Sequence, residues 1–337
     1  MDRYTQSAYS SREDLPAEPG PRDFVRFATL AANSHNTQPW KFRIAERTVD
    51  ISPDFIRRTP AVDPDDHHLY VTLGCATENL VIAANASGQA AKATVQTDDR
   101  GDPFVRITLG NGERTDRTLC EAIPKRQSTK SEYDGAPLSD VELRQLEDSA
   151  ARQGVDVIFI TERGKLDEAL KFIQAGNMAQ MDDPDFVTEL KSWIRFSSNT
   201  SIKKADGLSG PCAGNPSSPD WLGPILFKLM FKKKSENLKL ARQLASSAGL
   251  AVFVAEDETP EGWINVGRSF ERFALKATAL GLCHAHVNMP IEAATVRPEF
   301  ANWLNMAERR PDLVVRFGRA EPMPMSLRRS VDDVIIA

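Results

Sequence analysis

The sequence predicts an α+β protein built from two related halves. Helical spacing of apolar residues alternates along the chain with short β-branched runs such as Val155–Ile160 and Leu250–Val254. A repeat supplies the second observation. Residues 74–88 laid over 267–281 coincide at Gly74/Gly267, Glu78/Glu271, Ala84/Ala277, Ala86/Ala279 and Gly88/Gly281. Each window follows strand-like sequence and precedes a strand ending at glycine, Val105 to Gly110 and Val314 to Gly318. The period is too long for a solenoid. It fits two related units facing each other, an intrachain pseudo-dimer.

Residues 1–20 are polar and lack the apolar segment of a secretory signal. They are expected as a flexible tail, or an arm that orders on a partner surface. Phe24, Phe27, Ala28 and Ala31 predict a helix from Arg22 to Ala32. Strands follow at Lys41–Ile44 and Val49–Ser52, then a loop from Thr59 to His68. A helix through Cys75–Ala86 stops at Gly88, a natural C-cap. Val95–Thr97 and Val105–Leu109 are short strands. Ser139 and Glu142 form a capping box ahead of a helix that ends by Gly154. Strand Val155–Ile160 leads to a helix ending near Gly176, and another begins at Pro184.

The run Ser197–Gly223, rich in Ser, Gly, Pro and Asn, is expected as a lid-like insertion. Lys232, Lys233 and Lys234 read as a solvated helix face. Helices at Leu238–Ala248, Val266–Leu280 and Pro298–Glu308 and strands at Leu250–Val254 and Leu313–Phe317 complete the chain. The expected division is 21–118 and 119–337.

Composition narrows the function. With 41% hydrophobic and 26% charged residues, the 337-residue chain reads as an ordinary soluble one. A net charge of −5 argues against a general nucleic-acid binder. No apolar run reaches the ~18 to 20 residues that span a bilayer. Neither nucleic acid nor membrane is expected as a partner. Cys75, Cys120, Cys212 and Cys283 are isolated and read as reduced thiols, which implies a cytoplasmic protein.

Three stretches could carry chemistry. Ala32 to Trp40 is a polar corner between helix and strand; it suits a turn, and equally the polar edge of a flat heterocycle. Lys125 to Lys130 places Arg126, Ser128 and Lys130 within five residues, an exposed basic loop or a phosphate cradle. Arg328 and Arg329 form a second basic pair. His67 and His68 lie among Asp63, Asp65 and Asp66, but no second spaced pair completes a metal site, so solvated loop histidines are expected. His284 and His286 share one face of a strand, lining a cavity or packing in a core. No P-loop, Gly-x-Gly-x-x-Gly or Gly-x-Ser-x-Gly motif occurs.

Residues 32–40 resemble the PSxxNxQPW motif of the FMN-dependent nitroreductase family. Residues 125–134 are similar to its R-x-S-x-K segment, Pro290–Ala293 to its PIEG segment, and Leu327–Val331 to its basic C-terminal segment. Length and duplication resemble the Acg-type branch, with two nitroreductase-like halves in one chain. The resemblance implies a nitroreductase-like fold, with antiparallel or mixed sheets flanked by helices. The corner occurs only in the first half and the cradle only in the second, with residues 150–155 where a second corner would fall.

One complete site and one FMN per chain are therefore implied. By the same carry-over, Arg126, Gln127, Ser128, Lys130, Arg328 and Arg329 hold the phosphate end, and Ala32, Asn33, Ser34 and Asn36 come from the first half. Pro290, Glu292 and Ala293 lie at the reactive edge, where backbone N–H groups address flavin N5. Ala32 replaces the family's proline and Ala293 its glycine. The implied activity is ping-pong transfer from NAD(P)H, a transient reductant, through FMN to an electron-poor small molecule, with no obligatory side-chain acid. The other reading is an FMN-sequestering protein with a covered flavin.

Overall fold

The computed structural model describes residues 2–214 and 217–337. Met1 of the expected tail and Asn215 and Pro216 of the expected lid lie outside the described residues.

Helices α1 (Arg3–Ser10) and α2 (Pro21–Ala28) lead into strands β1 (Trp40–Ile44) and β2 (Thr48–Pro53). Helix α3 (His67–Ala86) and the hairpin β3 (Gln89–Thr97) and β4 (Pro103–Asn111) follow. Helices α4 (Thr118–Ala122) and α5 (Asp140–Ala150) connect to β5 (Val155–Ile160), α6 (Arg163–Asp182) and α7 (Pro184–Trp193). Strands β6 (Ile194–Arg195) and β7 (Leu208–Ser209) bracket α8 (Ser198–Lys204). Helices α9 (Gly223–Met230) and α10 (Lys233–Ala245) precede β8 (Gly249–Ala255), α11 (Pro260–Ala279) and β9 (Cys283–His286). Then come α12 (Met289–Glu292), α13 (Arg297–Trp303), β10 (Pro311–Gly318), α14 (Val331–Val334) and β11 (Ile335–Ile336).

The two main sheets share a strand order. One runs β1-β2-β4-β3 and the other β5-β8-β10-β9, with every one of these pairings antiparallel. In each, the helix between second and third strands is a central one, α3 or α11. The first sheet has an extra edge strand: β11 pairs parallel with β1, Phe42 opposite Ile335.

All of α3 except Asn85 is buried. A helix buried on nearly every side must pack against apolar neighbours all round, and α11 is the chief of these. They cross where the repeat places its glycines. A Cβ on Gly74 would collide with the Ile264 carbonyl oxygen and lie 3.0 Å from Gly267 Cα. A Cβ on Gly267 would collide with the Val71 carbonyl and lie 3.0 Å from Cys75 N. Backbone touches backbone here, so no flexible side chain can yield. The largest core cluster spans this crossing, joining Phe24, Trp40 and Leu73 of the first half to Phe253, Phe270 and Phe317 of the second.

Several expectations change. Residues 3–10 are a docked helix rather than a free tail: Tyr4 and Ala8 pack on Met325 and Leu327, and Tyr4 Oη lies 2.6 Å from Ser209 Oγ. Helix α3 begins at His67 instead of Cys75 because Asp63 caps it, accepting from the amides of His68 and Leu69 at 2.9 Å each. His67 and His68 are consequently buried, not solvated. Asp63, His67 and His68 converge closely enough to suggest a cation, but both Asp63 oxygens already serve the helix N-terminus. Helix α6 runs through Gly176 to Asp182, since Gly176 packs under the Met289 carbonyl and ends nothing. The run 197–223 is partly regular, containing α8 and β7.

Replacing Gly267 with alanine should lower stability by about 1–3 kcal/mol through overpacking, measured by urea unfolding. A second expectation concerns pH. His67 Nε2 lies 2.6 Å from Asp312 Oδ1 in the core, and burial raises the Asp312 carboxyl to about 7. The folded state keeps this proton up to about pH 7, whereas the unfolded chain releases it near 3.8. Stability from this group therefore falls as pH rises through that window. Asp312→Asn should flatten this component of a stability–pH profile; an unchanged slope would contradict the assignment.

Candidate functional site

The corner is held in an unusual backbone conformation. His35, Asn36 and Gln38 have φ of 48°, 54° and 55°, values that non-glycine residues adopt at a cost. Side-chain amides hold it there. Asn33 Oδ1 accepts the Gln38 amide at 2.9 Å. Asn36 Nδ2 donates to the carbonyls of Gly207 and Leu327 at 3.2 and 3.1 Å. Gln38 Nε2 donates to the Ala205 carbonyl at 2.8 Å, and its Oε1 accepts the Arg329 amide at 2.9 Å. The polar residues thus tie the first half to residues 205–207 and 327–329.

The cradle is pinned from the second half. The Thr129 amide donates to the His284 carbonyl at 2.9 Å. Arg316, buried in β10, donates to the carbonyls of Thr129 and Ser131 at 3.1 and 2.8 Å and stacks over the Tyr133 ring at 4.0 Å. His284 is buried with both ring nitrogens unpartnered, and burial keeps it neutral.

Corner and cradle meet around one cavity of about 410 Å³. Ala32, Asn33, Ser34 and Asn36 line it from the first half; Arg126, Gln127, Ser128, Lys130, Glu292 and Arg328 line it from the second. Glu271 of α11 joins the two sides. One carboxylate oxygen lies 3.4 Å from the Ala32 amide, the other 3.1 Å from Arg126 Nε. Its repeat counterpart Glu78 meets Arg152 at 3.0 Å, Arg268 at 2.7 Å and Arg272 at 3.2 Å. Three arginines therefore surround the Glu78 carboxylate.

Positive charge is in excess at one end of the cavity. Arg126 donates to the Leu30 carbonyl at 2.7 Å, and Arg328 to the Thr29 carbonyl at 2.7 Å and Asn36 Oδ1 at 2.9 Å. Arg12, also buried, donates to the Pro124 carbonyl at 2.9 Å. Burial, followed by the neighbouring guanidinium groups, pushes Arg12 down to about 10 and Arg328 well below its ordinary value. Glu271 is the carboxylate that pairs with this group, through Arg126 Nε, and Arg12 Nε lacks a hydrogen-bond partner among the described residues. Such a cluster is suited to a bound anion.

The other end is different. Glu292 accepts from Gln180 Nε2 at 2.6 Å, and its other oxygen lies 3.8 Å from His68 Nδ1. Burial raises the Glu292 carboxyl. His35 and His286 also face the cavity, and burial lowers them to about 4 and about 3, so both are neutral at pH 7.

Three expected residues are placed elsewhere. Arg329 turns away, donating to the Asp333 carbonyl at 2.7 Å, and does not line the cavity. Pro290 and Ala293 do not line it either. The amides of Glu292 and Ala293, expected to be free, donate to Asn288 and Met289 carbonyls at 3.0 and 3.1 Å inside α12. That short helix consumes the donors assigned to the flavin edge.

No family model matches the sequence. A Mycobacterium tuberculosis protein, named as a candidate NAD(P)H nitroreductase in strains CDC 1551 and H37Rv, is 25% identical over 327 residues. The match covers 93% of this chain and 90% of that protein. The chain is thus similar to that nitroreductase-named protein over nearly its whole length. Solved structures similar to it include an FMN-bound nitroreductase of Desulfitobacterium hafniense, 15% identical with a TM-score of 0.40, covering 66% of this chain and 100% of that one. The FMN-dependent nitroreductase of Mycobacterium smegmatis in complex with NADPH is 11% identical with a TM-score of 0.42, covering 64% and 94%.

Sequence reasoning missed His35 and His68, which line the cavity, and Glu271 and Arg12, which stand behind its lining arginines. Glu271 had a signal, since it coincides with Glu78 in the repeat. Arg12 had none, because nothing in a polar N-terminal run says that it folds back. For Asn36, side-chain bonds and backbone strain separate by mutation. Asn36→Gly loses the bonds alone, whereas Asn36→Ala also incurs left-handed strain. The alanine variant should be less stable than the glycine variant by about 1 kcal/mol, measured by thermal unfolding.

Proposed function

We propose that the chain is an FMN-dependent NAD(P)H oxidoreductase that binds one FMN between its two halves and passes electrons to an electron-poor small molecule. The observation that carries this reading is the cavity shared by corner and cradle, lined at one end by Arg126, Lys130 and Arg328, with Glu271 paired to Arg126. The cationic lining fits a phosphate monoester. Arg126, Arg328 and Lys130 would hold that phosphate, with Arg12 adding positive charge behind them. Ser34, Gln127 and Ser128 would meet polar edges along the cavity.

Bound FMN supplies hydride acceptance from a reduced nicotinamide and donation to a second substrate, in ping-pong order. The chain's own residues set the surroundings. Neutral His35 and His286 add no charge beside the cationic end. At the opposite end burial raises the Glu292 carboxyl, which accepts from Gln180 and faces His68. Leu208 and Phe231 line the cavity and exclude water from that wall. The shared strand order of the two sheets supports a duplicated, pseudo-dimeric chain, and the arginines around Glu78 support a single site.

A second reading, flavin sequestration with little turnover, is favoured by the fastening of the wall segment. Gly207 N–H donates to the Asn36 carbonyl at 3.0 Å, and Asp206 pairs with both Arg57 and Arg195. Anaerobic titration separates the two. The purified yellow protein should contain one equivalent of FMN and bleach with NADPH or NADH. Flavin that neither reductant bleaches would leave only sequestration; colourless protein that cannot be reconstituted would end both readings.

The cradle has its own test. Arg126→Ala alone leaves Glu271 buried without its partner, so the pair is changed together as Arg126→Met with Glu271→Gln. FMN affinity should fall roughly ten- to a hundredfold, the worth of about 1.5–3 kcal/mol for a charge-assisted bond. Fluorescence titration measures it, and unchanged affinity would contradict the cradle.

A further inference from the structure

Exposed large apolar side chains gather in one segment. Trp221 is 74% exposed, Ile225 52%, Leu229 63% and Met230 61%, and Leu238 on α10 is 53% exposed. Ile225 and Leu229 stand four residues apart on one side of α9, and exposed Trp221 precedes the helix in the turn that leads into it. Only Gly223 of this helix is buried. Its opposite side faces inward, where Phe227 stacks on Phe231 at 4.7 Å and Phe231 lines the cavity. A contiguous apolar patch of this kind marks a contact surface.

The charge around it is one-sided. Residues 221–234 contain Lys228, Lys232, Lys233 and Lys234 and no acidic residue, in a chain whose net charge is −5. Lys233 pairs with Asp182, while Lys228, Lys232 and Lys234 form no salt bridge among the described residues. The nearest acid in sequence, Asp220, is occupied by hydroxyl donors from Ser197 and Thr200 at 2.8 Å each. An apolar stripe with tryptophan at one end and lysines beside it matches the boundary between acyl chains and anionic headgroups.

We infer that residues 221–234 dock the protein on an anionic bilayer surface, with Trp221, Ile225, Leu229 and Met230 entering the headgroup boundary and Lys228, Lys232 and Lys234 meeting lipid charge. This departs from the expectation that the chain has no membrane partner, and it adds surface attachment without a spanning helix; among the described residues no helix is long and apolar enough to cross. It stands independently of the flavin, so flavin-free protein docks as well.

Co-sedimentation of the full chain with vesicles tests it. Binding to phosphatidylglycerol–phosphatidylcholine vesicles should exceed binding to pure phosphatidylcholine at least tenfold and weaken as salt rises. Trp221→Ser with Leu229→Ser, and separately Lys232→Glu with Lys234→Glu, should each reduce it tenfold or more, with circular dichroism reporting an intact fold. Absence of sedimentation with anionic vesicles overturns the inference. So does binding that either variant pair, still folded, leaves unchanged. A wild-type dimer in light scattering that Trp221→Ser with Leu229→Ser dissolves would assign the face to a second copy and overturn it too.

Discussion

The contact between Gly74 and Gly267 is the constraint on which the arrangement of this molecule depends. Two central helices cross with backbone against backbone, and neither glycine has room for a methyl group. That closeness sets where Glu271 emerges from α11. Its carboxylate then reaches the Ala32 amide on one side and Arg126 on the other. Corner and cradle belong to different halves, and this crossing brings them to a common cavity. A wider crossing would part the two walls before it broke either one.

Electrostatics divides the cavity into two unlike ends. Arginines gather with one paired carboxylate at the first, while a buried carboxyl and an imidazole face each other at the second. Burying so much like charge is costly unless a partner anion compensates it. The mirrored location shows the alternative solution. There Glu78 is surrounded by Arg152, Arg268 and Arg272, and side chains of the protein itself take up the space. The two central helices thus carry one glutamate beside an open cavity and another enclosed by arginines.

Much of this was legible in the sequence, and the failures have identifiable causes. Helices and strands with strong periodicity, such as α2, α5, β5 and β8, lie where spacing predicts them. The corner and the cradle were visible because several polar groups crowd a short stretch. Helix α3 was misjudged at its start because its cap, Asp63, lies outside the usual N-cap position. The burial of His67 depends on Asp312, remote in sequence and invisible to local reasoning. Arg329 and the 290–293 segment were assigned by likeness alone, and the fold gives Arg329 to Asp333 and the segment's amides to a helical turn. Arg12 became a cavity neighbour only because α1 packs on residues 325–327.

The pairing of β11 with β1, and of Arg328 with Asn36, also orders events during synthesis. The strained corner near residue 36 relies on partners almost three hundred residues downstream. Such distant contacts form late. A ribosome-bound chain can assemble β1, β2, α3 and the following hairpin, yet one edge of that sheet stays unpaired until residues 326–336 emerge. An incomplete chain therefore carries an exposed strand edge and an unfinished corner, a state prone to wrong pairing with its neighbours. The corner and its sheet edge are complete only once residues 328–336 have closed on them.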